Sequence, residues 1–204
     1  MIGVDEVGRG CLVGPVVTAA VAVPLDIELR SNSWLGDITD SKKISETKRG
    51  GLSNLIRANM PFVAIGEATP SEIDELNIFH ATYLAMYRAV ENLLQLDLRL
   101  SRASAVLIDG NHAPKNDWFG LKKIPVVKGD LKSFSIACAS IVAKEERDTR
   151  MRVLGVEHPQ YGFEKHKGYP TKAHVESIAE HGILESHRRS FGPVAKIIEA
   201  IGHI

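Results

Sequence analysis

Two spacings of apolar residues alternate along the chain, and they divide it into strands and helices. MIGVD (1–5), PFVAIGEAT (61–69), SAVLID (104–109) and IPVV (124–127) are short apolar runs bounded by glycine, proline or acids, which predicts strands. PVVTAAVAV at 15–23 is apolar at nearly every position and suits a strand buried on both faces. Ser45 predicts the cap of a helix reaching about Asn59, with Gly50 and Gly51 expected to soften or shorten it. Pro70 marks a helix start, and residues 78–96 carry helical spacing. The stretch from Ser133 to Leu154 reads as one helix, small and apolar at first and charged later, so it passes from the interior into water. A helix from Thr171 to about His181 and a last one near the C-terminus follow. Residues 25–44 read as a loop. No repeat or low-complexity tract interrupts the pattern. These elements predict an α/β fold, a mixed sheet flanked by helices. We expect a core over 1–155 and a helical C-terminal region over 156–204.

Composition narrows the class. No apolar run is long enough to span a bilayer, and no basic-then-apolar leader opens the chain. Two cysteines, Cys11 and Cys138, are too few for a disulfide framework or a thiolate zinc site. A reducing, cytoplasmic setting is expected. With 25 basic and 25 acidic residues the chain is formally neutral, unlike a sequence-blind nucleic-acid coat. Residues 1–109 hold 10 Lys and Arg against 14 Asp and Glu, and residues 110–204 hold 15 against 11, so the second half suits either contact with phosphate or, for so small a split, plain solvated surface.

Three acids share one setting. Asp5 ends the first predicted strand, Asp109 ends another, and Asp130 follows a third. Neighbouring strands would bring these carboxylates together, and crowding and burial would then both oppose their charges. A hard divalent cation removes that conflict, and an all-oxygen donor set favours Mg²⁺ or Mn²⁺ over zinc. Carboxylates holding two such ions are suited to phosphodiester cleavage. Each acid also has a plainer reading: Asp130 as a helix cap, Asp109-Gly110 as a turn, Glu6 as a solvated side chain. Asp5 is hardest to dismiss, because it continues an apolar run. Spacing alone leaves Glu6 undecided.

The motifs then resemble a known family. GVDEVGRGCLVGPVV (3–17), DSKKIS (40–45), LIDGN (107–111), VVKGD (126–130), SIACASIVAKEERD (135–148), YGFEKHKGYPTKAH (161–174) and HRRSFGPV (187–194) are similar to the blocks of ribonuclease HII, in that family's order and in its bacterial form. The resemblance implies an RNase H-like fold with a family-specific helical region. It implies a metal-dependent endoribonuclease that cuts RNA in RNA–DNA hybrids and incises 5′ to single ribonucleotides in duplex DNA, leaving 3′-hydroxyl and 5′-phosphate ends. Asp5, Glu6, Asp109 and Asp130 would hold the metal, Mg²⁺ or Mn²⁺, two ions with substrate bound.

Substrate roles follow from the same resemblance. Gly8-Arg9-Gly10 would approach the ribose 2′-hydroxyl and its phosphate through the backbone, which glycines permit. Tyr161 would pack on the sugar beside the junction, and Lys42 would contact phosphate. The expected partners are RNA–DNA hybrid and ribonucleotide-containing duplex, with no membrane, and the enzyme is expected to act as a monomer. A resolvase- or transposase-type DNA nuclease of the same fold is the alternative, and the Gly8-Arg9-Gly10 and Tyr161 blocks speak against it. His166, His174, His181 and His187 lack zinc-ligand spacing, and KGDLKS lacks the spacing of a phosphate loop.

Overall fold

A computed structural model of the chain describes residues 1–23, 33–103 and 105–202; part of the expected 25–44 loop lies outside these. Five strands form one mixed sheet: β1 (Ile2–Val7), β2 (Val16–Ala22), β3 (Phe62–Ala68), β4 (Val106–Asp109) and β5 (Lys123–Val126), in the order β3-β2-β1-β4-β5. β1 to β3 form an antiparallel meander, and β4 and β5 extend it in parallel from β1. The fully apolar β2 is buried along its whole length, as its composition required.

Helices cover both faces. On one side α2 (Pro70–Leu96) packs Met86, Val90 and Leu93 against Ile2, Val4, Val106 and Ile108. On the other, α1 (Glu46–Asn59) and α3 (Phe134–Glu157) pack Ile56, Cys138 and Ile141 against Ala19 and Val21. α1 begins at the Ser45 cap and runs unbroken through Gly50 and Gly51, so Leu52 and Ile56 in the core outweigh the glycine penalty. α2 carries both helix starts visible in the sequence. Thr69 and Glu72 form a capping box on either side of Pro70, and Asn77 breaks the helix at φ 64° while its side chain accepts from the N–H groups of Phe79 and His80.

α3 lies directly on β1 because Gly3 has no side chain. A Cβ there would stand 2.3 Å from the Ser135 carbonyl carbon. After α3 come α4 (Phe163–His166), α5 (Lys172–His181) and α6 (Gly192–Gly202). They enclose a further cluster in which Leu12 and Val13 meet Met151, Tyr161, Phe163, Ile178 and Val194. The segment after β1 is thus built into the C-terminal region. Among the described residues no helix is long and apolar enough to cross a membrane.

Gly3→Ala is expected to destabilise the protein by about 1–3 kcal/mol, because backbone rather than a flexible side chain must yield. Urea unfolding checks this, and an unchanged midpoint would show that α3 does not depend on the contact.

Candidate active site

The sheet register brings the acids together. β1 and β4 pair in parallel through Val4 and Ile108, so the next residues, Asp5 and Asp109, stand side by side where that pairing stops. Asp5 does not end its strand, as the sequence suggested; β1 continues through Glu6 to Val7, still paired with β2. Alternation along β1 then puts Asp5 on the α3 side and Glu6 on the α2 side. Asp5 is 7% exposed. Burial, then the nearby Glu6 and Asp109, push its carboxyl well above the usual range, while Ser140 on α3 and the Glu6 N–H (2.8 Å) oppose the shift as hydrogen-bond donors. Glu6 is also raised by burial, against the pull of Arg9, whose guanidinium lies 3.5 Å away.

Asp109 is fixed by the Gly129 N–H, which donates to its Oδ1 at 2.6 Å. Asp130 sits in the short turn Gly129–Leu131, and α3 takes its cap position at Ser133, so Asp130 is not the cap of that helix. Its carboxyl is raised by burial, then by Asp109 and Asp40, with Lys42 opposing. The four acids are therefore electrostatic neighbours, and Lys42 reaches the same region. Among the described residues no three His, Cys, Asp or Glu side chains form a ready-made ion cage. The donor set itself suits a hard cation: it is all oxygen, partly desolvated and mutually repulsive.

Gly8, Arg9 and Gly10 form the turn after β1, beside this cluster. Gly8 adopts φ +92°, and a Cβ on it would meet the Arg147 Nε at 2.2 Å. Arg9 and Gly10 are exposed. The Lys42 loop is held from below by the buried Arg49. It donates to the Ser41 carbonyl (3.4 Å) and the Ile44 carbonyl (3.2 Å), and is itself paired with Asp148 at 2.8 Å. Ser41 in turn hydrogen-bonds Ser140 at 2.9 Å, which links that loop to the residue beside Asp5.

Tyr161 is not at this site. It is 2% exposed, stacked on Phe163 at 5.2 Å, and its hydroxyl donates to the Gly182 carbonyl at 2.8 Å. Its face and its hydroxyl are both taken, so it offers nothing to a substrate. Tyr169, in the same motif, is 39% exposed and lies near Cys11 and Lys42. The sequence held a signal for this: Gly168-Tyr169-Pro170 is a turn, and turns face water.

Tyr169 is anchored by a histidine pair. The Leu184 N–H donates to Nδ1 of His187 (2.9 Å), leaving the proton on Nε2, which faces Nε2 of His174 (3.3 Å). The remaining nitrogen of His174 donates to the Tyr169 carbonyl at 2.9 Å. That chain uses every ring nitrogen with both imidazoles neutral. Burial, reinforced by a neighbouring histidine in each case, pulls both rings down to about 4.

Comparison with known proteins places the chain in a family. The model of the family described as Ribonuclease HII matches residues 2–194. The Ribonuclease HII of Shewanella pealeana is 50% identical over 196 residues, covering 96% of this chain and 89% of that protein. Among solved structures, the ribonuclease H2 from Pyrococcus horikoshii OT3 superposes with a TM-score of 0.78 at 24% identity, over 100% of this chain and 99% of that one. Bst-RNase HIII in complex with Mn²⁺ superposes at 0.72 and 19% identity, over 100% and 70%. At those identities the two structures speak for the fold alone.

The histidine pair predicts an acid-labile prop. Unfolded histidines titrate near 6.5 and these near 4, so below about pH 6.5 the unfolded chain binds protons that the folded one refuses. The pair's contribution is complete above that pH and declines toward pH 4, by up to about 1.4 kcal/mol per pH unit for each ring. Imidazole resonances of His174 and His187 are expected to keep neutral shifts at pH 5. Charged shifts there would refute the arrangement.

Proposed function

This chain belongs to the ribonuclease HII family, a type II ribonuclease H acting on RNA–DNA hybrids, and from that premise we propose how its residues divide the work. Asp5, Glu6, Asp109 and Asp130 are the catalytic and metal-holding acids. The observation that carries this reading is the register of β1 and β4, which sets Asp5 beside Asp109 just past the last paired residues. Bound Mg²⁺ or Mn²⁺, as two ions with substrate in place, would supply a nucleophile at neutral pH and neutralise charge on the leaving oxygen. The manganese held by Bst-RNase HIII agrees with that choice of ion.

The protein's own groups prepare the site. Burial raises the Asp5 and Glu6 carboxyls, and a bound cation would oppose that shift and favour their anions. The Gly129 N–H fixes the orientation of Asp109, and Ser140 fixes that of Asp5. Gly8-Arg9-Gly10 brings backbone close to the sugar and would distinguish ribose by its 2′-hydroxyl. Lys42 would contact a phosphate near Asp130. The sugar-packing role that the sequence suggested for Tyr161 passes to Tyr169, the tyrosine with a free face. Residues 156–204, built onto Leu12 and Val13, would complete the substrate cleft around this loop. The activity extends on this reading to incision 5′ of a single ribonucleotide in duplex DNA, with 3′-hydroxyl and 5′-phosphate products.

Asp5→Asn is expected to fold normally and to retain less than about a hundredth of the parent rate. Even outer partners of metal ligands cost 10- to 100-fold when removed. Near-native cleavage of a duplex carrying one ribonucleotide, with Mg²⁺ or Mn²⁺ present, would sink the metal assignment.

Tyr169→Ala should lose more rate on that substrate than on a long hybrid. Tyr161→Phe should instead cost about 1 kcal/mol of stability, from the lost hydrogen bond, and leave substrate preference alone. The reverse pattern in kinetics and urea unfolding would restore Tyr161 to the site.

A further inference from the structure

Two arginines beneath the Gly8-Arg9-Gly10 turn carry charge that no salt bridge among the described residues neutralises; Asp74 acts on Arg188 only at longer range, and the Arg188 guanidinium lies 5.1 Å from the Phe191 ring centroid. Arg147 and Arg188 are both 0% exposed, and among the described residues neither forms a salt bridge. The one other buried arginine among the described residues, Arg49, is matched by Asp148 and Glu145. Burying an uncompensated guanidinium is costly, so the two need a reason to be there.

Apart from a contact of Arg147 Nη2 with the Met151 sulfur (3.7 Å), their hydrogen bonds run to main-chain carbonyls of the turn and its supports. Nη1 of Arg188 donates to the Arg9 carbonyl at 3.0 Å and Nε to the Gly14 carbonyl at 2.9 Å. Arg147 donates to the carbonyls of Lys167 (2.7 Å) and Val13 (3.1 Å). One nitrogen of each is left over, Nη2 of Arg188 and Nε of Arg147, buried and without a partner. Arg147 Nε lies directly under Gly8.

The peptide geometry gives these contacts a direction. A trans peptide is planar, and its C=O and N–H point opposite ways. Drawing the Arg9 carbonyl inward therefore turns the Gly10 N–H outward. Gly10 is exposed, and its N–H has no partner among the described residues, while the neighbouring Cys11 N–H is spent on Gly8. The result is a free backbone donor above two positive charges, which is the chemistry of an anion seat.

We propose that Arg188, seconded by Arg147, is a positioning residue for substrate. It holds the Arg9–Gly10 peptide with its N–H toward the cleft, and the unpaired charges below make that N–H a seat for one backbone phosphate of the nucleic acid. Neither arginine touches the substrate. This rests on the reading above, in which the turn meets the ribonucleotide. It adds that the turn's orientation is imposed from the far end of the chain and is not intrinsic to Gly-Arg-Gly.

Arg188→Lys and Arg188→Met, compared with the parent, test this. Lysine keeps the charge and can reach one carbonyl; methionine keeps the bulk and removes both. With chelator present to prevent turnover, a duplex carrying one ribonucleotide is expected to shift the Gly10 amide resonance in the parent and not in Arg188→Met. With metal, Arg188→Met should raise KM on that duplex about tenfold, with kcat within about threefold. Arg188→Lys should recover part of the loss. Parent-like KM and a parent-like Gly10 shift in both variants would overturn the proposal. So would a fall in kcat with KM unchanged. Should Arg188→Met fail to fold, Arg188→Lys decides alone: it must show a higher KM than the parent with native circular dichroism, and an unchanged KM overturns the proposal. Failure of the underlying reading looks different, since the parent itself would then show no Gly10 shift and no cleavage at the ribonucleotide.

Discussion

A carboxylate buried in the central strand of a sheet is the constraint around which this protein is arranged. Asp5 faces α3 with almost no access to water, beside two other acids. Such a group either takes up a proton or is given compensating positive charge. The surroundings supply orientation without neutralising it: a serine on α3, the N–H of the next residue, and the open ends of two parallel strands. Gly3 makes the serine contact possible, because it lets α3 rest on β1 two residues before the acid. The fold thus builds a deficit of positive charge at one point and leaves it to be met from outside.

The loops around that point are secured by arginines, in two different ways. Arg49 clamps the loop of Lys42 and is paired with Asp148, so its charge is compensated where it is buried. Arg188 and Arg147 clamp the Gly8–Gly14 segment with no carboxylate in reach of a salt bridge, and so leave positive potential under it. Asp5 and Glu6 on β1 and the turn that this basic floor underlies are a few residues apart in sequence. A polyanion bearing cations is complementary to both at once, which a neutral chain could not offer through net charge.

Much of this was legible in the sequence, and the misses have physical causes. β2 was clear because a strand buried on both faces has nothing polar to confuse it. Asp5 stood out because an acid in an apolar run is rare. Its place within the strand, rather than at the end, depended on pairing with β2, which no local pattern encodes. The two starts of α2 were both visible, and Asn77 reconciles them. Gly50 and Gly51 misled because packing outweighs propensity. Tyr161 and Tyr169 could not be separated by composition, since the burial of a tyrosine is decided by partners such as Phe163 and the Gly182 carbonyl, the latter 21 residues away. The roles of Arg147 and Arg188 were hidden for the same reason: arginine is rarely interior, and nothing nearby in sequence marks these two.

The contact between Arg188 and the Arg9 carbonyl joins residues 179 positions apart. During synthesis the turn leaves the ribosome long before the side chain that orients it. The strand carrying Asp5 and Glu6 can pair with β2 before then, but the surface that would grip a nucleic acid is assembled only once Arg188 has arrived. Cutting groups and gripping surface are thus joined by a contact of very long sequence separation, the kind that slows folding.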